Sequence, residues 1–183
     1  MSTLVVENLN GPSSGSNANK VIIPSGHTLD ASAGTITPSA NQIVKTVFVE
    51  ETGDLSTSSS SYSNVIGTNY TPLFDDSILY VSGVVSGISF EGGSGNSYQG
   101  STWRYIVTPS GGTAVDDYIN FYQFHFPSGS YWGGMVPFSF KFTVSSTVSH
   151  SIYVQAFARS SQTNYLRNRN GEVSTLTVQE IKQ

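Results

Sequence analysis

The sequence predicts an antiparallel β-sandwich of the jelly-roll type, preceded by an extended N-terminal arm and a short stalk. Three observations carry this prediction. From residue 43 onward, apolar residues alternate with polar ones in short runs, the two-residue period of strands with one face in a core. The runs are joined by segments rich in Ser, Gly and Asn, the residues of tight turns. No stretch repeats its apolar residues at helical spacing. Eight such runs in roughly 140 residues match the strand number and spacing of a jelly roll.

The runs can be placed in order. Ile43–Glu50 opens the set, and Ser61–Gly67 is a weaker second. Ser77–Phe90 is long, with Gly83 and Gly87 expected as bulges or bends. Trp103–Thr108 puts Trp103, Tyr105 and Val107 on one face. Asp117–Phe126 is aromatic on both faces, as in a strand covered on both sides or one at a subunit interface. Val136–Val144 alternates most cleanly: Val136, Phe138, Phe140, Phe142 and Val144 face inward, while Ser139, Lys141 and Thr143 face out. Ser151–Arg159 and Val173–Ile181 complete the set, the last losing its alternation near Glu180. Asn170-Gly171 reads as a two-residue hairpin turn. The head domain is thus expected over 44–183.

Ahead of the head, Val21-Ile-Ile-Pro-Ser-Gly-His27, Thr28-Leu-Asp-Ala-Ser-Ala-Gly34 and Thr35-Ile-Thr-Pro-Ser-Ala-Asn41 form three seven-residue blocks. Each has one large aliphatic at its second place, Ile22, Leu29 and Ile36, and Ile43 continues the series. A coiled coil needs two apolar positions per heptad with helix formers between them. Pro, Gly, Ser and Thr fill these gaps, so the segment is extended. Burying one Ile or Leu gains roughly 1.5–3 kcal/mol. Ordering seven backbone units costs about 1–2 kcal/mol each, so a lone copy cannot hold the segment ordered. Residues 21–43 are therefore expected as a stalk shared by several chains, with Ile22, Leu29, Ile36 and Ile43 in contact. Residues 1–20 combine apolar Leu4, Val5, Val6 and Leu9 with a Gly/Ser/Asn linker, which suits attachment of an extended strand to a larger assembly.

Composition narrows the function classes. Only 11% of the 183 residues are charged, and net charge is −4 with 8 Lys and Arg. No basic stripe exists, so nucleic acid is not an expected partner. No cysteine is present, which excludes disulfides and thiolate metal sites. The N-terminus lacks the basic and apolar regions of a signal peptide, and no apolar run reaches membrane-spanning length. A soluble protein without membrane contact is the expectation.

Chemical motifs are sparse. His27, His125 and His150 have no partner at ligand spacing. Asp75-Asp76, Asp116-Asp117 and Glu50-Glu51 lack a calcium-loop pattern. No nucleophile elbow is present, and Gly92-Gly-Ser-Gly95 is followed by neither Lys nor a helix. No catalytic residue, metal site or cofactor is assigned. The segments Ser97–Trp103, Phe126–Gly134 and Asn164–Arg167 read as aromatic loops. Their Tyr98, Trp103, Tyr131, Trp132 and Tyr165 suit contact with a glycan or protein surface, or packing across a subunit interface.

The arm, the Ile22-Ile-Pro-Ser-Gly-His-Thr-Leu-Asp-Ala-Ser-Ala-Gly-Thr-Ile block, and the ending with Leu166-Arg-Asn-Arg-Asn-Gly and Ser174-Thr-Leu-Thr-Val-Gln-Glu-Ile181 resemble the fibre-type virion proteins of tailed phages of marine and cyanobacterial hosts. The resemblance implies a homotrimer with a TNF-like or jelly-roll head, mounted on the virion by its N-terminal part, with no catalytic motif to carry over. Longer members have extended shafts and this chain has almost none, which leaves tail and capsid both open. The expectation adopted is a short tail fibre with its head presented outward to the host, with a capsid decoration protein as the alternative and a host-glycan depolymerase as a third class.

The alternation over Val136–Val144 yields a direct test. Phe138→Ala and Phe140→Ala should each lower stability by about 3–5 kcal/mol, whereas Lys141→Ala should change it little. Denaturant titration of the three variants measures this. Equal losses at all three sites would contradict the strand.

Overall fold

The computed structural model describes residues 13–15, 25, 38–91, 98–119, 123–125, 131–158 and 163–183. These fall almost wholly in one of the chain's two compact units, Pro38–Gln183. The unit's strands are β1 (Ile43–Glu51), β2 (Leu55–Thr57), β3 (Ser63–Tyr70), β4 (Ile78–Glu91), β5 (Tyr98–Pro109), β6 (Val115–Ile119), β7 (Gln123–His125), β8 (Tyr131–Thr143), β9 (His150–Ala158), β10 (Asn164–Arg167) and β11 (Ser174–Ile181). One short 3-10 turn, Arg169–Gly171, separates β10 from β11.

Among the described residues all pairings are antiparallel. In the first sheet β8 follows β4 along its length, so β10 and β11 share the opposite flank, end to end. Beyond them, β2 pairs with β10 and β1 with β11. The second sheet runs β3, β9, β5, β6, with β7 pairing the start of β5. When each interrupted strand is counted once, the first sheet has the order first, eighth, third, sixth. The second has the order second, seventh, fourth, fifth. This is the wrapped Greek-key order of a jelly roll, and each of the eight sequence-predicted runs coincides with one of these strands. The run expected over Asp117–Phe126 is seen as two strands, β6 and β7.

The core follows from the alternation. Leu79, Val81 and Val85 of β4, Phe138 and Phe140 of β8, and Leu176 and Val178 of β11 form one wall. Opposite them stand Val65 and Ile66 of β3, Ile152, Val154 and Ala156 of β9, and Trp103 and Val107 of β5. Tyr105 of β5 stacks on Phe140 with ring centroids 4.0 Å apart and planes 4° from parallel. Of the two glycines expected as bends, Gly83 is not one: it pairs in register with Phe138 and Leu176. A Cβ there would meet the Thr175 carbonyl oxygen of β11 first and then the Phe138 ring at 2.7 Å, so the missing side chain makes room for both.

The Val173–Ile181 run holds its alternation to the end, contrary to expectation. Glu180 keeps the inward parity of Leu176 and Val178 and is fully buried. Its carboxylate accepts hydrogen bonds from the amides of Leu73 (2.9 Å) and Phe74 (3.0 Å), the Tyr70 hydroxyl (3.0 Å) and the Ser77 hydroxyl (2.9 Å). These charge-assisted bonds let a carboxylate replace an apolar contact, and they fasten the β3–β4 connection to the last strand. Lys45 Nζ lies over the Tyr70 ring, 4.5 Å from its centroid, and donates to Thr71 O at 2.8 Å. Residues ahead of β1 join the same end: Asn41 N donates to Lys182 O (2.6 Å), and Lys182 Nζ to Pro38 O (2.7 Å).

Glu180→Gln turns an acceptor-only group into one with two N–H donors facing other donors. It should cost about 3 kcal/mol in denaturant titration, because buried bonds to a charged acceptor are lost. Burial, and then the Glu180 carboxylate, push the Tyr70 phenol far above its usual range. Below about pH 10, folded and unfolded chains both hold that proton, so Tyr70 contributes no pH dependence. Above it the unfolded chain ionises and the folded chain does not, so stability falls as pH rises. The loss between about pH 8 and pH 11 should be smaller in Tyr70→Phe than in the native chain, though the variant starts less stable. Equal losses would contradict the assignment.

Candidate functional site

The most elaborated local structure lies where β10 gives way to β11 alongside β4. Tyr165 pairs with Ser89 and Thr175 with Val84, so the intervening residues leave the ladder and return to it. Asn170-Gly171, expected as a hairpin, lies in this excursion: Asn170 has φ 68° and Gly171 φ 78°, inside the 3-10 turn. The strands on either side are not partners of each other; both pair with β4. Gly87 of β4 has φ +66°, and a Cβ there would fall 2.5 Å from the Arg169 amide nitrogen and 2.8 Å from Asn168 Cα. Glycine at 87 satisfies both the left-handed backbone and the close crossing.

Asn168 holds the crossing together. It is fully buried with a left-handed backbone, φ 57°. Its amide N donates to Ser86 O at 2.7 Å. Its side-chain Nδ2 donates to Glu51 O (2.6 Å) and Gly53 O (3.1 Å), and its Oδ1 accepts from the Ser174 hydroxyl. Arg167 donates from Nε to Gly53 O (3.0 Å) and from Nη1 to Val65 O (2.6 Å), and it pairs with Glu51 Oε2 at 3.1 Å. The break between β1 and β2 is thereby tied to the break between β10 and β11.

Beside this crossing lies a cleft of about 270 Å³ lined by Gly87, Ile88, Ser89, Gly133, Gly134, Arg169, Asn170 and Glu172. Arg169 Nη1 donates to the Ser89 hydroxyl at 2.6 Å, and its guanidinium lies 4.4 Å from the centre of the Tyr165 ring. A smaller cleft of about 170 Å³ lies on the far side of Arg167, between Glu51, Asn64–Gly67 and Tyr153.

The sequence-predicted contact residues divide. Tyr165 is half-buried in β10 beneath Arg169, so Asn164–Arg167 is a strand and not a loop; its Asn164 and Leu166 are buried. Tyr131 and Trp132 belong to β8, paired with Glu91 and Phe90 immediately before the cleft glycines, and Tyr98 begins β5 opposite His125. The expectation for Trp103 is corrected. It is 2% exposed and its indole N–H donates to the Ser101 hydroxyl at 2.6 Å, so it belongs to the core with Val107. Its parity with Tyr105 and Val107 was the signal for that placement. Ile43, expected as the last stalk contact, is the first residue of β1 and pairs with Ile181. Ile22, Leu29, Ile36, Leu4, Val5, Val6 and Leu9 lie outside the described residues. His150 is buried, with Nδ1 2.7 Å from Val148 O and its ring edge-on to Phe142. Among the described residues, no three His, Asp or Glu side chains are grouped to hold a metal ion. No helix among them is long and apolar enough to cross a membrane. Sequence reasoning missed Asn168, Arg169 and Glu172, because the Asn-Gly pair between them drew attention to a turn.

No family model and no curated protein matches the chain. Among solved structures, the chain is similar to the infectious bursal disease virus Gx strain structure, at 15% identity over 87% of this chain and 37% of that one, with a TM-score of 0.43. It is also similar to the VP2 subviral particle of the same virus, at 14% identity over 94% of this chain and 45% of that one, with a TM-score of 0.38. The chain thus spans less than half the length of the solved proteins it resembles.

One prediction tests the crossing. Gly87→Ala meets both a left-handed backbone and the Arg169 amide, and should lower stability by about 3 kcal/mol. Gly111→Ala also has positive φ but meets nothing within 4 Å, and should cost roughly 1 kcal/mol. Thermal melts of the two variants compare strain alone with strain plus collision.

Proposed function

We propose that the chain is a non-enzymatic structural protein of a virion: a short homotrimeric fibre on the tail of a phage, with the segment from residue 21 to the start of the head at the trimer axis and residues 1–20 attached to other virion proteins. The observation that carries this reading is the outer face of the first sheet. By register and parity it presents Thr46, Phe48 and Glu50 of β1, Thr175, Thr177 and Gln179 of β11, Tyr80, Ser82 and Val84 of β4, and Met135, Pro137, Ser139 and Lys141 of β8. Glu50 and Lys141 are the charged residues in that set. Phe48 is 60% and Met135 64% exposed.

A sheet face with few charges and with exposed Phe and Met suits contact between protein subunits. A fibre head mounted on a repeat that needs partner chains fits the same surface. The trimer accounts for the seven-residue blocks, whose apolar content is too small for a single copy. Tyr131 and Trp132 of β8 and Tyr165 of β10 stand on strands that border the cleft, and with Tyr98 of β5 they are assigned to contact with a host-surface glycan or protein. Trp103 has no part in that contact.

Sedimentation of the full chain at micromolar concentration should give a trimer, and a stable monomer would overturn the reading. Removing residues 1–20 should leave the trimer and its melting temperature unchanged while preventing incorporation into particles of a complemented defective phage. Normal loading would move the anchor to the head. Copy number separates the two virion positions: a few trimers per particle supports the tail, and hundreds would put the protein on the capsid as a decoration.

A further inference from the structure

We infer that the cleft between Gly87, Gly133, Gly134 and Arg169 is a binding site for a single neutral sugar unit. The inference goes beyond the structural role proposed above and does not depend on it, since it rests on the make-up of the cleft alone. In register, Ile88 pairs with Gly134 and Ser89 with Gly133, so one strand of this ladder carries no side chain at two successive positions. A Cβ built on Gly133 meets one atom within 4 Å, Ile88 O at 3.6 Å, an ordinary contact. The missing side chain at Gly133 therefore leaves space for a ligand on the cleft face of the ladder.

The rim supplies both kinds of polar partner. Arg169 is held in place by the Ser89 hydroxyl and the Tyr165 ring, so its guanidinium is positioned before any ligand arrives. Glu172 contributes a carboxylate that only accepts, and Asn170 an amide that both donates and accepts. Vicinal hydroxyls match this set, because each hydroxyl donates one bond and accepts others. Arg169 and Glu172 give the lining one charge of each sign, so no net charge draws an acidic or a basic ligand over a neutral one. The volume of about 270 Å³ lies just below the range of drug-sized pockets and fits one ring rather than a chain.

The test uses the purified full chain and methyl glycosides of glucose, galactose, mannose and N-acetylglucosamine, with glucuronic acid as the charged control. Saturation-transfer NMR should show at least one neutral glycoside binding with a dissociation constant in the millimolar range, as small polar ligands do. Amide shifts should centre on Gly87, Gly133, Gly134 and Arg169. Glu172→Gln keeps the shape of the site and should weaken binding roughly tenfold, the effect of a lost charge-assisted bond. Gly133→Val fills the open space and should abolish binding with an unchanged melting temperature. If that variant is unstable, Glu172→Gln alone decides. The inference is overturned if no neutral glycoside binds at about 10 mM, if glucuronic acid binds more tightly, or if the variants bind as the native chain does.

Discussion

The jelly roll depends on one crossing. β10 and β11 must both lie on the same flank of β4, although the chain leaves the ladder between them. Gly87 gives the space and Asn168 gives the bonds. The Asn168 side chain reaches Glu51 O, Gly53 O and the Ser174 hydroxyl, while its amide reaches Ser86 O. An excursion of this kind would otherwise bury unpaired backbone groups at a cost comparable to several lost hydrogen bonds. Because every one of those partners lies in a different strand or turn, the crossing also aligns the broken edge formed by β1 and β2. The cleft is its by-product: Arg169 and Glu172 stand beside Gly133 and Gly134 only because the chain leaves the ladder here.

The opposite end of the sandwich is closed by a different device. Glu180 occupies a core position and takes bonds from four donor groups between Tyr70 and Ser77. Apolar packing alone would leave the two loop amides of Leu73 and Phe74 to find other partners. The carboxylate thus does for the β3–β4 connection what Asn168 does for the β1–β2 break. Polar side chains anchor both ends, and hydrophobic burial fills the middle.

Much of the fold was legible because burial on one face leaves a two-residue signature. Val136–Val144 shows it most clearly, and the paired rows of Phe138, Phe140 and Tyr105 follow from it. What the alternation does not encode is partnership. β10 is four residues long and begins with a buried Asn, so nothing in its composition separates it from a polar loop. Asn170-Gly171 has the backbone preferences of a hairpin, and Asn170 and Gly171 do adopt positive φ, but the strands they join sit end to end along a third. Glu180 looked like a break in the pattern because its hydrogen-bond donors lie more than a hundred residues away in sequence. Trp103 was misplaced for a different reason: its neighbours Ser101 and Thr102 resemble a loop, whereas its parity belongs to the strand. The candidate site was the least legible part, since it is assembled from a glycine pair on β8, a turn after β10 and one glycine of β4.

The pairing of β1 with β11 joins Ile43 to Ile181 and Glu51 to Ser174. The first strand of the head thus acquires its partner last, after nearly the whole head has been synthesised. Sequence separation of this size slows folding, because chain closure must precede the contacts that reward it. Until β11 is in place, β1 presents an unpaired edge containing Val44, Val47, Phe48 and Val49, which is a template for joining other chains. Completion of the first sheet therefore waits for β11, and how quickly β11 claims that edge decides between folding and association.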